Sequence, residues 1–75
     1  MIYDWSDKGC AATIRTIRRD LGASQAKLAA LLGMGKHGGR RIRYFEAGQA
    51  HPSRARCNQL EKLHRKTVSQ IEGGK

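Results

Sequence analysis

Residues 33–48, GMGKHGGRRIRYFEAG, decide between two kinds of fold. They open with the pattern G-x-G-x-x-G and continue as a basic, partly apolar segment that ends at Gly48. In a dinucleotide-binding fold, such glycines follow a β-strand and begin a helix. Here they follow a predicted helix, and no Lys-Ser/Thr pair of a P-loop comes after them. We therefore predict that the glycines form a turn between two helices and not a nucleotide site.

The segment after this turn, residues 39–47, has the spacing of a helix with two unlike faces. Ile42, Phe45 and Glu46 share the face that we expect to pack against the core. The opposite face is basic and aromatic, and its members are Arg40, Arg43, Tyr44 and Ala47. A helix of this kind presents positive charge to an acidic partner.

Two further helices are predicted before the turn. The first begins at Cys10 and ends at Gly22, with Ser6 or Asp7 as its cap. Its apolar face is formed by Cys10, Ile14, Ile17 and Leu21, and the residues expected to point away are Arg15, Arg19 and Asp20. The second, residues 25–32, follows Ser24 as its expected N-cap.

After the third helix, Pro52 and Ser53 mark another helix start. Apolar spacing continues as far as Ile71, and it fits either one long helix or two helices broken near Lys66 and Thr67. The pattern predicts an all-α fold of four or five helices in one domain, residues 1–75. Its core lies at about residues 10–66, and residues 67–75 either contribute to a dimer or are frayed.

Composition limits the function. A chain of 75 residues leaves few residues for a substrate pocket, so an enzyme is not expected. Fifteen Lys and Arg against six Asp and Glu give a formal net charge of +9, which favours a polyanion such as nucleic acid or an anionic membrane. No apolar run approaches the ~20 residues that span a bilayer, and the N-terminus lacks the order of a signal peptide, so a cytoplasmic protein is expected.

No metal, cofactor or small-molecule site is predicted. Cys10 and Cys57 lie far apart and outside any C-x-x-C pair, which favours reduced, buried thiols over a disulfide. The histidines show no metal-ligand spacing with the two cysteines. The histidines are His37, His51 and His64.

Several short motifs, in this order and spacing, resemble the Cro/C1-type (XRE-type) helix-turn-helix family of phage and bacterial repressors. They are Ile14-Arg15-Thr16-Ile17-Arg18-Arg19, Leu21-Gly22-Ala23-Ser24-Gln25, Lys27-Leu28-Ala29, Leu32-Gly33, Ile42, Phe45-Glu46-Ala47-Gly48 and Pro52. The resemblance implies a lambda-repressor-like helix-turn-helix fold whose third helix enters the DNA major groove. The connection from Gly33 to Ile42 is about three residues longer than in the family, and we expect a mobile turn that approaches the DNA backbone closely.

The resemblance also implies which residues contact DNA. Base contacts are expected from Arg40, Arg43 and Tyr44, because arginine offers a bidentate donor fork to O6 and N7 of guanine. Arg41 is expected to contact a base or a phosphate. Phosphate contacts are expected from Gln25 at the start of the second helix. Further phosphate contacts are expected from the residues that border the same surface, which are Lys27, Lys36, His37, His51, Ser53 and Arg54.

Two structural roles complete the expectations. Arg18 and Glu46 lie near or on the core sides of their helices, where each is costly to bury alone, and the resemblance implies that they pair. A homodimer surface is expected around Leu63, Val68 and Ile71. Tyr3 and Trp5 fit either a cover for the core or a subunit interface.

The expected function is sequence-specific binding of double-stranded DNA by a homodimeric repressor on an inverted-repeat operator, including autoregulation. Small phage regulators, among them repressors encoded beside anti-CRISPR genes, are similar. One alternative is an antitoxin of a toxin–antitoxin operon, since antitoxins can share the fold. Another is a non-specific DNA- or RNA-binding basic protein. Proteins that bind single-stranded RNA commonly stack bases on several aromatic side chains, and this chain has one Trp, two Tyr and one Phe.

Overall fold

The computed structural model describes the backbone of residues 3–73 and the side chains of residues 3–68. This part of the chain contains four α-helices and no strand, which confirms the all-α prediction. The helices are α1 (Cys10–Leu21), α2 (Gln25–Leu31), α3 (Gly38–Glu46) and α4 (Arg54–Gly73). Residues 54–73 thus form one helix and not two. In the range that the structure describes, no helix combines the length and the apolar character needed to cross a membrane.

The helix starts follow local hydrogen bonding. The Ser24 hydroxyl accepts from the Lys27 N–H at 3.0 Å, which confirms Ser24 as the N-cap of α2. The expected cap of α1 is wrong: Gly9 occupies the N-cap position without a side-chain cap. Ser6 instead closes the preceding turn, where its carbonyl accepts from the Cys10 N–H at 2.9 Å.

The core forms where the apolar faces of the helices meet. Helix α3 packs against both α1 and α2, and α4 packs against α1. The buried members of this core cluster are Cys10, Ile14, Ile17, Leu28, Ala29, Leu32, Ile42, Phe45 and Leu60. Burial of this surface drives folding, and it fixes which side of α3 faces outward.

The glycines of residues 33–48 serve two structural purposes. Gly33 and Gly35 have φ angles of 66° and 80°, a left-handed conformation that side chains disfavour, and they turn the chain after α2. Gly38 is buried, and a Cβ placed there would lie 2.7 Å from the Cβ atoms of both Ala29 and Met34. The second purpose is therefore the close approach of α3 to α2. This packing lets α3 begin at Gly38 and end at Glu46, one residue earlier at each end than predicted.

The N-terminal segment covers the core of its own chain. Tyr3 and Trp5 both pack against the core. The Tyr3 hydroxyl lies 2.8 Å from Nδ1 of His64, whose Nε2 lies 2.9 Å from the Asp20 carboxylate. Because the carboxylate only accepts, Nε2 of the buried His64 donates to it. Asp20 is exposed, as expected for a residue off the apolar face of α1, and its contact with His64 joins α1 to α4.

The residues expected at a dimer surface differ in their positions. Leu63 is partly buried and packs against the core cluster of its own chain. Val68 is partly buried, and the side chain of Ile71 lies outside the described residues, as do residues 74 and 75 of the segment expected to fray.

Both cysteines are free and buried, as their spacing indicated. Burial raises the pKa of the Cys10 thiol to about 11 and also raises the pKa of the Cys57 thiol. A thiol with a raised pKa is rarely the reactive thiolate, so the two side chains act here as small apolar residues.

Candidate nucleic-acid interface

The outward face of α3 is basic. Arg40, Arg41 and Arg43 are exposed, and Tyr44 is 37% exposed. The Arg43 guanidinium lies 5.9 Å from the centre of the Tyr44 ring, within cation–π range. The one acidic residue of α3, Glu46, is buried on the opposite side. The positive charge of this face is therefore not neutralised by an acid of the same helix.

Glu46 and Arg18 form an ion pair in which the guanidinium donates two hydrogen bonds to the carboxylate. Arg18 Nε lies 2.6 Å from Oε2, and Nη2 lies 3.0 Å from Oε1. The Glu46 side chain is 7% exposed, whereas that of Arg18 is 28% exposed. The hydrogen bonds to Glu46 raise the pKa of Arg18 above its ordinary value. The pair that the family resemblance implied is present, and it joins α1 to the end of α3.

Two more contacts extend this junction. Arg18 Nη1 donates to the Ala23 carbonyl at 3.2 Å, just before α2. The Arg15 guanidinium donates to the Glu46 carbonyl, one of the orphan carbonyls at the end of α3. Arg15 was expected to point away, and periodicity places its Cα correctly, but a long side chain can reach a neighbouring helix. The helical spacing gave no signal for this contact.

An open cleft of about 400 Å³ lies between the start of α2 and the outward face of α3. It is lined by Gln25, Ala26, Gly39, Arg40 and Arg43. A Cβ at Gly39 would lie 3.4 Å from the Ala26 Cα, so the two helices are in close contact at the cleft. The structure thus brings together one expected phosphate-contacting residue and two expected base-contacting residues.

The other expected phosphate contacts fall into two groups. Five of the residues are exposed, and they are Lys27, Lys36, His37, Ser53 and Arg54. His51 is different, because both of its ring nitrogens bond to the protein itself. Nε2 lies 2.7 Å from the Trp5 carbonyl and Nδ1 lies 2.7 Å from the Pro52 carbonyl. His51 thus fastens the N-terminal segment, and both of its ring nitrogens already have partners within the protein.

The His51 contacts predict a pH-dependent stability. Carbonyl oxygens only accept, so both nitrogens bond fully only when the ring is protonated, and the bonds to Trp5 and Pro52 raise the pKa of His51 above its ordinary value of 6.5. This contribution to stability is complete below pH 6.5 and is lost as the pH rises through the folded-state pKa.

Thermal denaturation from about pH 5 to about pH 8 tests this expectation. The melting temperature of the wild type should fall more steeply with rising pH than that of a His51→Gln variant. His37→Gln, at an exposed position in the turn before α3, should keep the wild-type slope. Equal slopes for all three proteins would exclude a stabilising charge on His51.

No protein-family profile, curated protein or solved structure matches this chain. Among the described side chains, no three His, Cys, Asp or Glu residues come together as metal ligands.

Proposed function

We propose that this protein binds double-stranded DNA sequence-specifically and is a lambda-repressor-like helix-turn-helix regulator of the Cro/C1 type. The observation that carries the proposal is the outward face of α3, with three exposed arginines opposite a buried Ile42, Phe45 and Glu46. The DNA major groove is wide enough to admit an α-helix. The tight contact with α2 and the anchor at Glu46 hold the helix in a fixed orientation, as base recognition requires.

Charge supports the same partner. The chain carries a formal net charge of +9, which attracts the phosphate backbone of DNA before any base is recognised. In this proposal Arg40 and Arg43 contact base edges, with Tyr44 beside them and Arg41 near a base or a phosphate. Lys36, in the turn before α3, contacts phosphate, as do Lys27, His37, Ser53 and Arg54.

Selection of bound duplexes from a randomised DNA pool, followed by binding titrations, tests the proposal. Arg40→Ala and Arg43→Ala should each weaken operator binding by about 1–3 kcal/mol and relax the preference at one position of each half-site. Lys36→Ala should weaken binding to all sequences alike and reduce the log–log salt slope by roughly one unit, since one phosphate contact is lost.

The arginine and lysine variants serve as controls for each other. If both arginine variants lost affinity equally for every sequence, α3 would not be the recognition element. The alternative of a non-specific DNA- or RNA-binding basic protein would then be favoured. Competition with single-stranded RNA in the same titrations separates these two partners.

We further propose that the protein acts as a homodimeric repressor on an inverted repeat, including one upstream of its own gene. A single module of this size makes few contacts, and a second copy doubles them on half-sites about one helical turn apart. The dimer surface is proposed for the part of α4 around Leu63, Val68 and Ile71. Light scattering on the specific complex should give two chains per operator; one chain bound tightly to an isolated half-site would contradict the dimer.

A further inference from the structure

The N-terminal segment, which comprises the described residues before α1, is fastened to the fold by three neighbouring residues. The Asp4 backbone N–H and carbonyl both bond to the Thr13 hydroxyl of α1, at 3.1 Å and 3.0 Å. The Tyr3 hydroxyl contacts His64 of α4 at 2.8 Å. The Tyr3 and Trp5 rings stack with their centres 6.2 Å apart, and both pack against the core. The segment thus joins α1 to α4 and covers part of the core.

Trp5 is held by groups from two other parts of the chain. Its indole N–H donates to the Glu61 carboxylate of α4. Its backbone carbonyl lies 2.7 Å from Nε2 of His51, in the loop before α4. His51 therefore ties the backbone of the N-terminal segment to this loop.

The His51 ring satisfies both of its contacts only as an imidazolium. Its Nδ1 lies 2.7 Å from the Pro52 carbonyl, so both partners of the ring are oxygens that only accept. A neutral ring keeps one N–H, and its other nitrogen then faces a carbonyl oxygen with lone pair against lone pair. Loss of the proton thus turns one of the two contacts from attractive to repulsive, and the ring must move.

The surroundings of His51 favour the charged ring and leave it open to solvent. A cavity of about 330 Å³ beside the ring is lined by Asp7, by Cys10 and Ala11 of α1, by Phe45 of α3 and by the turn after α3. The Asp7 carboxylate favours the imidazolium, whereas burial raises the pKa of the Cys10 thiol to about 11 and keeps it neutral. No other charged side chain among the described residues lines this cavity. Because His51 is exposed, it exchanges its proton with solvent while the helices stay folded.

We propose that His51 is a proton-operated latch on the N-terminal segment. The protonated ring holds the segment closed over the core. When the proton is lost, Trp5 moves away from the core and the helices stay folded. This goes beyond the pH-dependent stability described above, because it places the change at one end of the chain. The latch does not depend on DNA binding, so its test and the test of the proposed function are independent.

Trp5 is the one tryptophan of the chain, so its fluorescence reports on the N-terminal segment directly. Acrylamide quenching from about pH 5.5 to about pH 8.5, where histidine titrates, measures the exposure of the indole. Far-UV circular dichroism at the same pH values follows the helices. Loss of a hydrogen bond from a charged group should shift the closed-to-open ratio roughly ten- to one-hundred-fold toward the open segment. We expect the quenching constant of the wild type to rise with pH while the helical signal stays constant.

Three variants assign the transition to its group. His51→Gln removes the titrating ring, so its quenching constant should not change with pH. His37→Gln, at an exposed position in the turn before α3, is the matched control and should keep the wild-type transition. Asp7→Asn removes the carboxylate that favours the charged ring, so its transition should move to lower pH.

Three results would overturn the inference. Wild-type quenching that does not change with pH means that the segment does not open. A transition that persists in His51→Gln assigns it to another group, of which His64 is the next that contacts the segment. A helical signal that changes in step with the quenching means that the whole fold unfolds and not the N-terminal segment alone.

Discussion

Replacing Glu46 with alanine should lower the free energy of unfolding by about 3 kcal/mol. The carboxylate is buried. It accepts two hydrogen bonds from Arg18 and a third from Gln25. Its removal leaves the Arg18 guanidinium without its partner in a partly buried position. Loss of one member of a buried pair costs about 3–5 kcal/mol, and the lower end applies because the Arg18 side chain is 28% exposed and water can reach it.

This loss is large for a domain of this size. Stabilities of about 0.05–0.15 kcal/mol per residue are usual, so the variant should lose a substantial fraction of the total. Urea denaturation followed by circular dichroism measures the effect, with the slope m expected to stay unchanged. An unchanged midpoint for Glu46→Ala would show that the pair contributes no stability.

The double variant Arg18→Met with Glu46→Leu is the control for this interpretation. It removes both charges and fills their space with apolar groups, so it should recover much of the stability lost in Glu46→Ala. If the double variant were as unstable as the single variant, packing and not an unpaired charge would explain the loss.

Replacing Gly38 with alanine should destabilise the fold by about 2–3 kcal/mol and weaken DNA binding. The added Cβ would meet the Cβ atoms of Ala29 and Met34, each at 2.7 Å. A Cβ atom cannot rotate away without movement of its backbone, so α3 must shift away from α2. Overpacking of this kind costs about 1–3 kcal/mol, and the upper part of this range applies because two neighbours are met at once.

Gly39→Ala is the matched control in the same helix turn. A Cβ there would lie 3.4 Å from the Ala26 Cα, an ordinary contact, and alanine favours a helix over glycine by up to about 1 kcal/mol. This variant should be as stable as the wild type or more stable in the same urea denaturation. Equal destabilisation by both substitutions would indicate that the glycines are needed for something other than the close approach of α3 to α2.

Much of the local structure was predictable because it depends on neighbouring residues in the chain. The apolar spacing of Ile14 and Ile17 placed α1, and Ser24 marked the start of α2. The glycine-rich segment was predicted as a turn between two helices, and it lies between α2 and α3. The division of α3 into a buried face and a basic face also follows from helical periodicity alone, since residues three and four apart share a side.

The sequence therefore determined the helices and the charged face of α3, while the tertiary structure decided which distant side chains meet. Periodicity does not reveal that Asp20 and Tyr3 hydrogen-bond to His64, or that His51 contacts the Trp5 carbonyl. It also could not orient the Gln25 amide, because that orientation depends on a carboxylate 21 residues away in the chain. Such contacts depend on how helices pack and how far flexible side chains reach, and neither is encoded in the spacing of residues along a single helix.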